Sequence, residues 1–123
     1  MSKIIIYHNG RCGKSRGALE ILQDSGLEFE VRWYLQEPLN ITELRALLKK
    51  LKMQPSQLVR TNENLYKEQY NDKEITETEW LAILKKNPIL IERPIVEKDR
   101  KAIIARPPEA VIAFLNLSQP NII

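Results

Sequence analysis

The stretch Lys3-Ile4-Ile5-Ile6-Tyr7-His8-Asn9-Gly10, the helical pattern after it and Phe29-Glu30-Val31-Arg32-Trp33 beyond decide the fold. Ile4 to Ile6 is a β-branched run closed by Tyr7, readable as a strand buried on both faces. It stops at the turn signal His8-Asn9-Gly10. From about Gly13 onward Ala18, Leu19, Ile21 and Leu22 share one broad helical face, and Ser25-Gly26 ends the pattern, glycine being the expected terminator. Phe29, Val31 and Trp33 then alternate with Glu30 and Arg32 as a second strand that ends near Tyr34-Leu35. Strand, helix and strand in so short a span form a βαβ unit, which implies parallel strands and a right-handed crossover.

The middle of the chain reads as helices. Asn40-Ile41-Thr42-Glu43 is a capped start, and Leu44, Leu47, Leu48 and Leu51 form one apolar stripe. Pro55 to Val59 suggests a single helical turn entered through proline, and Asn62 to Tyr70 a polar helix. Thr76-Glu77-Thr78-Glu79 is a capping box ahead of Trp80, Leu81, Ile83 and Leu84. After Asn87-Pro88 strands return: Ile89-Leu90-Ile91, then Ile95-Val96 and Ala102 to Ala105, the last two joined as a hairpin across Lys98-Asp99-Arg100. Arg106-Pro107-Pro108-Glu109 opens a final helix with Val111, Ile112, Phe114 and Leu115. A βαβ half and a ββα half separated by helices make an α/β chain of thioredoxin-like architecture. The expectation is one domain over residues 1–123, with an all-helical insertion at about 37–87.

Composition narrows the class. The chain has 123 residues, one cysteine, one histidine and a net charge of +3. A single cysteine closes no internal disulfide and builds no multi-cysteine zinc module, and a lone thiol suits a reducing compartment. The longest apolar runs fall far short of the roughly 18 residues a membrane span needs. Met1-Ser2-Lys3 leads into no export signal, so the expected location is the cytoplasm, away from membranes. Most basic residues stand beside acids, as Glu43 with Arg45 and Lys67 with Glu68, and aromatics interleaved with the cations are few. This pattern argues for a solvated surface and against nucleic acid as a partner.

Cys12 falls where a thioredoxin-like fold puts a functional thiol, between the first strand and its helix. A lone cysteine is often a buried small hydrophobe. Here Arg11, Lys14 and Arg16 and a helix N-terminus surround it, and both favour thiolate. From an ordinary pKa of about 8.5 only about 3% of a thiol is ionised at pH 7, and each unit of depression raises the thiolate ratio about tenfold. Gly13-Lys14-Ser15 imitates the end of a nucleotide-binding loop, but that loop needs glycine where His8 stands. A cysteine-phosphatase loop would need arginine where Ala18 stands. A dithiol motif would need cysteine where Ser15 stands, so any resolving thiol comes from another molecule.

Arg60, Arg93 and Arg106 each adjoin an apolar stretch. Their planar forks suit a tetrahedral oxyanion, and three surface ion pairs fit the spacing equally well. Pro94 reads either as an edge proline or as a cis proline near the thiol. His8 reads either as a tuner of Cys12 or as a turn residue.

Four segments taken together, Tyr7-His8-Asn9 with Cys12 and Ser15-Arg16, Leu58-Val59-Arg60, Asn87 to Val96, and Ala105-Arg106-Pro107-Pro108-Glu109, resemble the glutaredoxin-dependent arsenate reductases, from about residue 3 to 116. The resemblance implies that Cys12 attacks arsenate, with His8 and Ser15 assisting its thiolate. Arg60, Arg93 and Arg106 would hold the oxyanion and Pro94 would support the site. Glutathione would serve as co-substrate and glutaredoxin as partner, with no bound cofactor and no metal. Gly10-Arg11 stands where the best-studied members carry Pro-Ala, and the short end of the chain resembles a short branch of the family. Two other readings share the fold: a general glutathione-linked thiol transferase, and an Spx-like regulator that binds RNA polymerase, which usually carries the second cysteine that Ser15 replaces here.

Overall fold

The computed structural model describes residues 3–115. The Met1-Ser2 start, read above for an export signal, and position 116, where the resemblance ends, lie outside the described residues. The chain divides into two compact units, Met1–Arg32 with Arg93–Ile123, and Trp33–Glu92.

The first unit is built on a four-stranded sheet in the order β2-β1-β3-β4, with β1 at Ile4–Tyr7, β2 at Glu30–Arg32, β3 at Ile95–Lys98 and β4 at Lys101–Ile104. β1 runs parallel to β2, Ile6 opposite Val31, and antiparallel to β3, Ile6 opposite Val96. The antiparallel β3–β4 hairpin turns on Asp99-Arg100, with Asp99 in the left-handed region at φ 55°. Helix α1, Gly13–Ser25, joins β1 to β2, and α5, Ala110–Phe114, follows β4. This is the thioredoxin-like α/β order that the sequence implies.

One face of the sheet and both helices enclose the core of this unit. Ile4, Ile6 and Val96 pack with Ala18 and Leu22 of α1 and with Val111 and Leu115. Alternation along the strands turns Tyr7 and Glu97 to the opposite face, where the Tyr7 hydroxyl donates to Glu97 Oε1 at 2.8 Å. Two glycines carry the geometry of α1. Gly26 ends it at φ 76°, a conformation that costs a side-chain-bearing residue. A Cβ on Gly17 would meet Pro108 Cγ at 3.1 Å, so α1 lies close against the chain that enters α5.

The second unit is helical: α2 at Ile41–Leu51, α3 at Asn64–Gln69 and α4 at Glu77–Lys86. Both capping boxes form, Glu43 N–H donating to Asn40 Oδ1 at 2.8 Å and Glu79 N–H to Thr76 Oγ1 at 3.1 Å. Leu44, Leu47, Leu48, Trp80, Leu81 and Leu84 are buried. The polar helix α3 is held by its aromatics, since Tyr66 stacks on Trp80 at 6.2 Å and Tyr70 tilts against it at 5.6 Å. Pro55–Leu58 forms one 3-10 turn.

The expected strand at Ile89-Leu90-Ile91 is instead a 3-10 turn over Pro88–Leu90, followed by a single bridge between Ile91 and Val59. Proline at its first position fixes the turn, and Leu90 and Ile91 spend their N–H groups on Asn87 and Pro88 carbonyls. An apolar run alone does not separate a strand from a buried turn.

Candidate active site

The site grows from the loop between β1 and α1. His8 N–H donates to Arg32 O at 2.9 Å, so the loop leaves the sheet beside β2. Asn9 then organises the turn. Its carbonyl accepts from Cys12 N–H at 3.0 Å and its Oδ1 from Arg11 N–H at 3.0 Å, a side-chain turn of the kind asparagine favours. Cys12 follows as the N-cap of α1 in extended conformation, and its carbonyl receives the first helical bond, from Arg16 N–H at 3.0 Å.

Three polar residues here are buried: His8, Asn9 and, at 0% exposure, Ser15. Burial demands partners, and Ser15 Oγ supplies them. Asn9 N–H donates to it at 3.0 Å, and His8 Nδ1 lies 2.8 Å away. Burial lowers the His8 pKa most; the bond with Ser15 opposes this and the Arg16 charge adds to it, with a net value below 6.5. The imidazole is therefore neutral at pH 7.

Cys12 is half-buried. Burial alone pushes its thiol up, but the N–H of Ser15, the Arg93 guanidinium and the N–H of Lys14 together outweigh that, and the thiol's pKa is lowered from its ordinary value. The sulfur makes no capping hydrogen bond of full geometry, so the helix-start N–H groups act on it as aligned dipoles. Arg93 is 7% exposed and precedes β3. A buried guanidinium aimed at a sulfur is a fixed positive charge that a solvated lysine could not replace.

Arg93-Pro94 and Arg106-Pro107 are cis peptides. Pro94 is fully buried, and its carbonyl accepts from Ala105 N–H at 2.8 Å. Arg106 follows β4 in the same unit and is half-buried.

His8, Cys12, Ser15 and Arg93 thus converge, while Pro94 and Arg106 belong to the same unit. Arg60 lies in the helical unit, where its N–H donates to Leu90 O at 2.7 Å. Its setting is not free of acids: Nε lies 3.4 Å from Glu63 Oε1 and Nη1 3.8 Å from Glu92 Oε1. Both nitrogens are buried and hydrogen-bond to no group among the described residues. Sequence reasoning passed over Asn9 as the organiser of the loop and the Tyr7–Glu97 pair behind it. An asparagine in a turn just before a helix was the available signal for the first; nothing local marks the second. Among the described residues no cluster of histidine, cysteine and carboxylates could hold a metal ion.

Similarity to known proteins agrees with this geometry. Residues 7–114 match the model of the ArsC family. The chain is 45% identical to a protein of Escherichia coli K12 named uncharacterized protein YfgD, over 92% of this chain and 97% of that one. It is 39% identical to the arsenate reductase of Haemophilus influenzae, over 91% and 98%. The solved structure of the arsenate reductase from Vibrio cholerae superposes with a TM-score of 0.84 at 35% identity, covering 90% of this chain and 96% of its own. The family match over residues 7–114, nearly the whole chain, with a half-buried cysteine at the first strand-to-helix junction, makes this protein a member of the ArsC family.

Proposed function

We propose that the chain is an arsenate reductase whose nucleophile is the Cys12 thiolate. The observation that carries this reading is the convergence of the buried Arg93 guanidinium and the first N–H groups of α1 on the Cys12 sulfur. A thiolate beside a fixed cation can attack arsenic while that cation holds the oxyanion. Relatives named arsenate reductase supply the substrate.

In the proposed sequence the Cys12 sulfur bonds to arsenic and a hydroxyl of arsenate leaves as water. Glutathione displaces a second hydroxyl, again as water. A glutaredoxin thiolate then attacks the glutathione sulfur, forming a disulfide; the sulfur–arsenic bond breaks and its electron pair reduces arsenic from the pentavalent to the trivalent state. Hydrolysis of the remaining bond to Cys12 releases arsenite and restores the thiolate. The external donor follows from the single cysteine, since no second thiol exists in the chain to resolve the adduct.

Neutral His8 and Ser15 hold the loop that presents Cys12, and Arg93 and Arg106 bind the oxyanion. Arg60 enters as a third oxyanion ligand on the sequence resemblance. Residues of about 37–87 serve as a helical insertion in a single thioredoxin-like domain. The reaction belongs in the reducing cytoplasm, and among the described residues no helix is long and apolar enough to cross a membrane.

The test is arsenate-dependent oxidation of NADPH in the presence of glutathione, glutathione reductase and glutaredoxin. The reading expects a rate with the unmodified protein and none with Cys12→Ser. Equal rates from the two folded proteins would overturn it.

A further inference from the structure

The excess of positive charge is not spread over the chain. Met1–Arg32 with Arg93–Ile123 carries ten basic against seven acidic residues, while Trp33–Glu92 carries nine of each, so the whole surplus of +3 lies in the unit that bears Cys12. Within that unit it is local to the thiol. The first acidic residue of the chain is Glu20, and α1 has no acid in its first turn.

Arg11, Lys14 and Arg16 are all exposed, and none forms an ion pair among the described residues. Two of them are anchored. Arg16 Nη1 donates to Gly10 O at 3.1 Å, and Nη2 would stand 3.7 Å from a Cβ on Gly13, so this guanidinium lies back across the Gly10–Gly13 loop. The Arg11 N–H is tied to Asn9 Oδ1 at 3.0 Å, which fixes where its side chain begins.

The buried Arg93 faces the sulfur, whereas these three cations stand exposed on the loop and first turn to either side of Cys12. A small oxyanion is served by the buried fork. What meets an exposed rim is the larger molecule that arrives next.

We propose that Arg11 and Lys14, with Arg16 behind them, form a cationic collar that selects an anionic second reactant at Cys12, namely a thiol carrying carboxylates. This deepens the reductase reading and rests on it for the identity of the step. The arsenic adduct on Cys12 is itself anionic, and an incoming thiolate with carboxylates would be repelled by it. Three positive charges at the rim offset that repulsion, and a neutral thiol gains nothing from them.

The experiment compares alkylation of Cys12 by iodoacetate, which is anionic, and iodoacetamide, which is neutral. Both reagents consume the same thiolate, so their rate ratio at one pH is independent of the Cys12 pKa. Neither requires arsenate or a reductant, so loss of the arsenate assay and loss of this result are separate failures.

The iodoacetate-to-iodoacetamide ratio of the unmodified protein is expected to fall about threefold in Arg11→Ala/Lys14→Ala, and by a similar factor when salt is raised to about 1 M. If the double variant does not fold, Arg11→Gln and Lys14→Gln singly should each lower the ratio. A ratio that these substitutions leave unchanged in folded protein overturns the proposal, whatever salt does.

Discussion

His8 Nδ1 lies 2.8 Å from Ser15 Oγ, and Asn9 N–H donates to the same oxygen at 3.0 Å. One hydroxyl therefore ties the end of β1 to the first turn of α1, on either side of Cys12. Ser15 is wholly buried, so its removal is felt in both stability and reactivity. Ser15→Ala is expected to lower unfolding free energy by about 1–3 kcal/mol, measured by urea denaturation, because two buried groups lose a shared partner. The same variant should alkylate more slowly at Cys12 near neutral pH; an unchanged rate would show that the loop holds without the hydroxyl.

The His8 pKa is lowered, chiefly by burial, which fixes the sign of a pH effect. Above the ordinary value of 6.5 both folded and unfolded chains carry neutral His8, and it contributes no pH dependence. As pH falls through 6.5 the unfolded chain takes the proton first, so stability declines until the folded pKa is passed. Urea midpoints between neutral pH and about pH 5.5 should therefore drop more for the unmodified protein than for His8→Gln. Equal drops would contradict the assignment.

Tyr7 and Glu97 meet on the sheet face opposite the α1–α5 core, both largely buried. Tyr7→Phe keeps the ring and deletes one hydrogen bond to a carboxyl group. The expected cost is about 1–2 kcal/mol in urea denaturation. A neutral substitution would mean that other partners of Glu97 carry the pair.

Gly26→Ala places a Cβ on a residue at φ 76° with open space around it, so the penalty is conformational and not steric. A loss of about 1 kcal/mol is expected in the same measurement.

Much of this fold was legible because its signals are local. Gly26 ends α1, the two capping boxes start α2 and α4, and the Asp99-Arg100 turn joins β3 to β4. The segment Ile89-Leu90-Ile91 misled because a buried turn and a buried strand show the same apolar run, and the partner that decides, Val59, is remote in sequence. Cys12 was legible as a charge-surrounded helix start. Its lowered pKa, however, owes also to Arg93, which only the return of the chain ahead of β3 brings to the sulfur. One of the two acids facing Arg60 was hidden for a related reason: Glu63 is only three residues on, but Glu92 lies far along the chain, across the Val59–Ile91 bridge.

The central claim is that Arg93 and the start of α1 lower the pKa of Cys12 and so favour its thiolate, and the apparent pKa measures this most directly. Iodoacetamide rates or thiolate absorbance followed against pH should give a midpoint below the roughly 8.5 of an ordinary thiol, and Arg93→Ala should move that midpoint upward. A midpoint at or above about 8.5 in the unmodified protein, or one that Arg93→Ala leaves in place, would contradict the account.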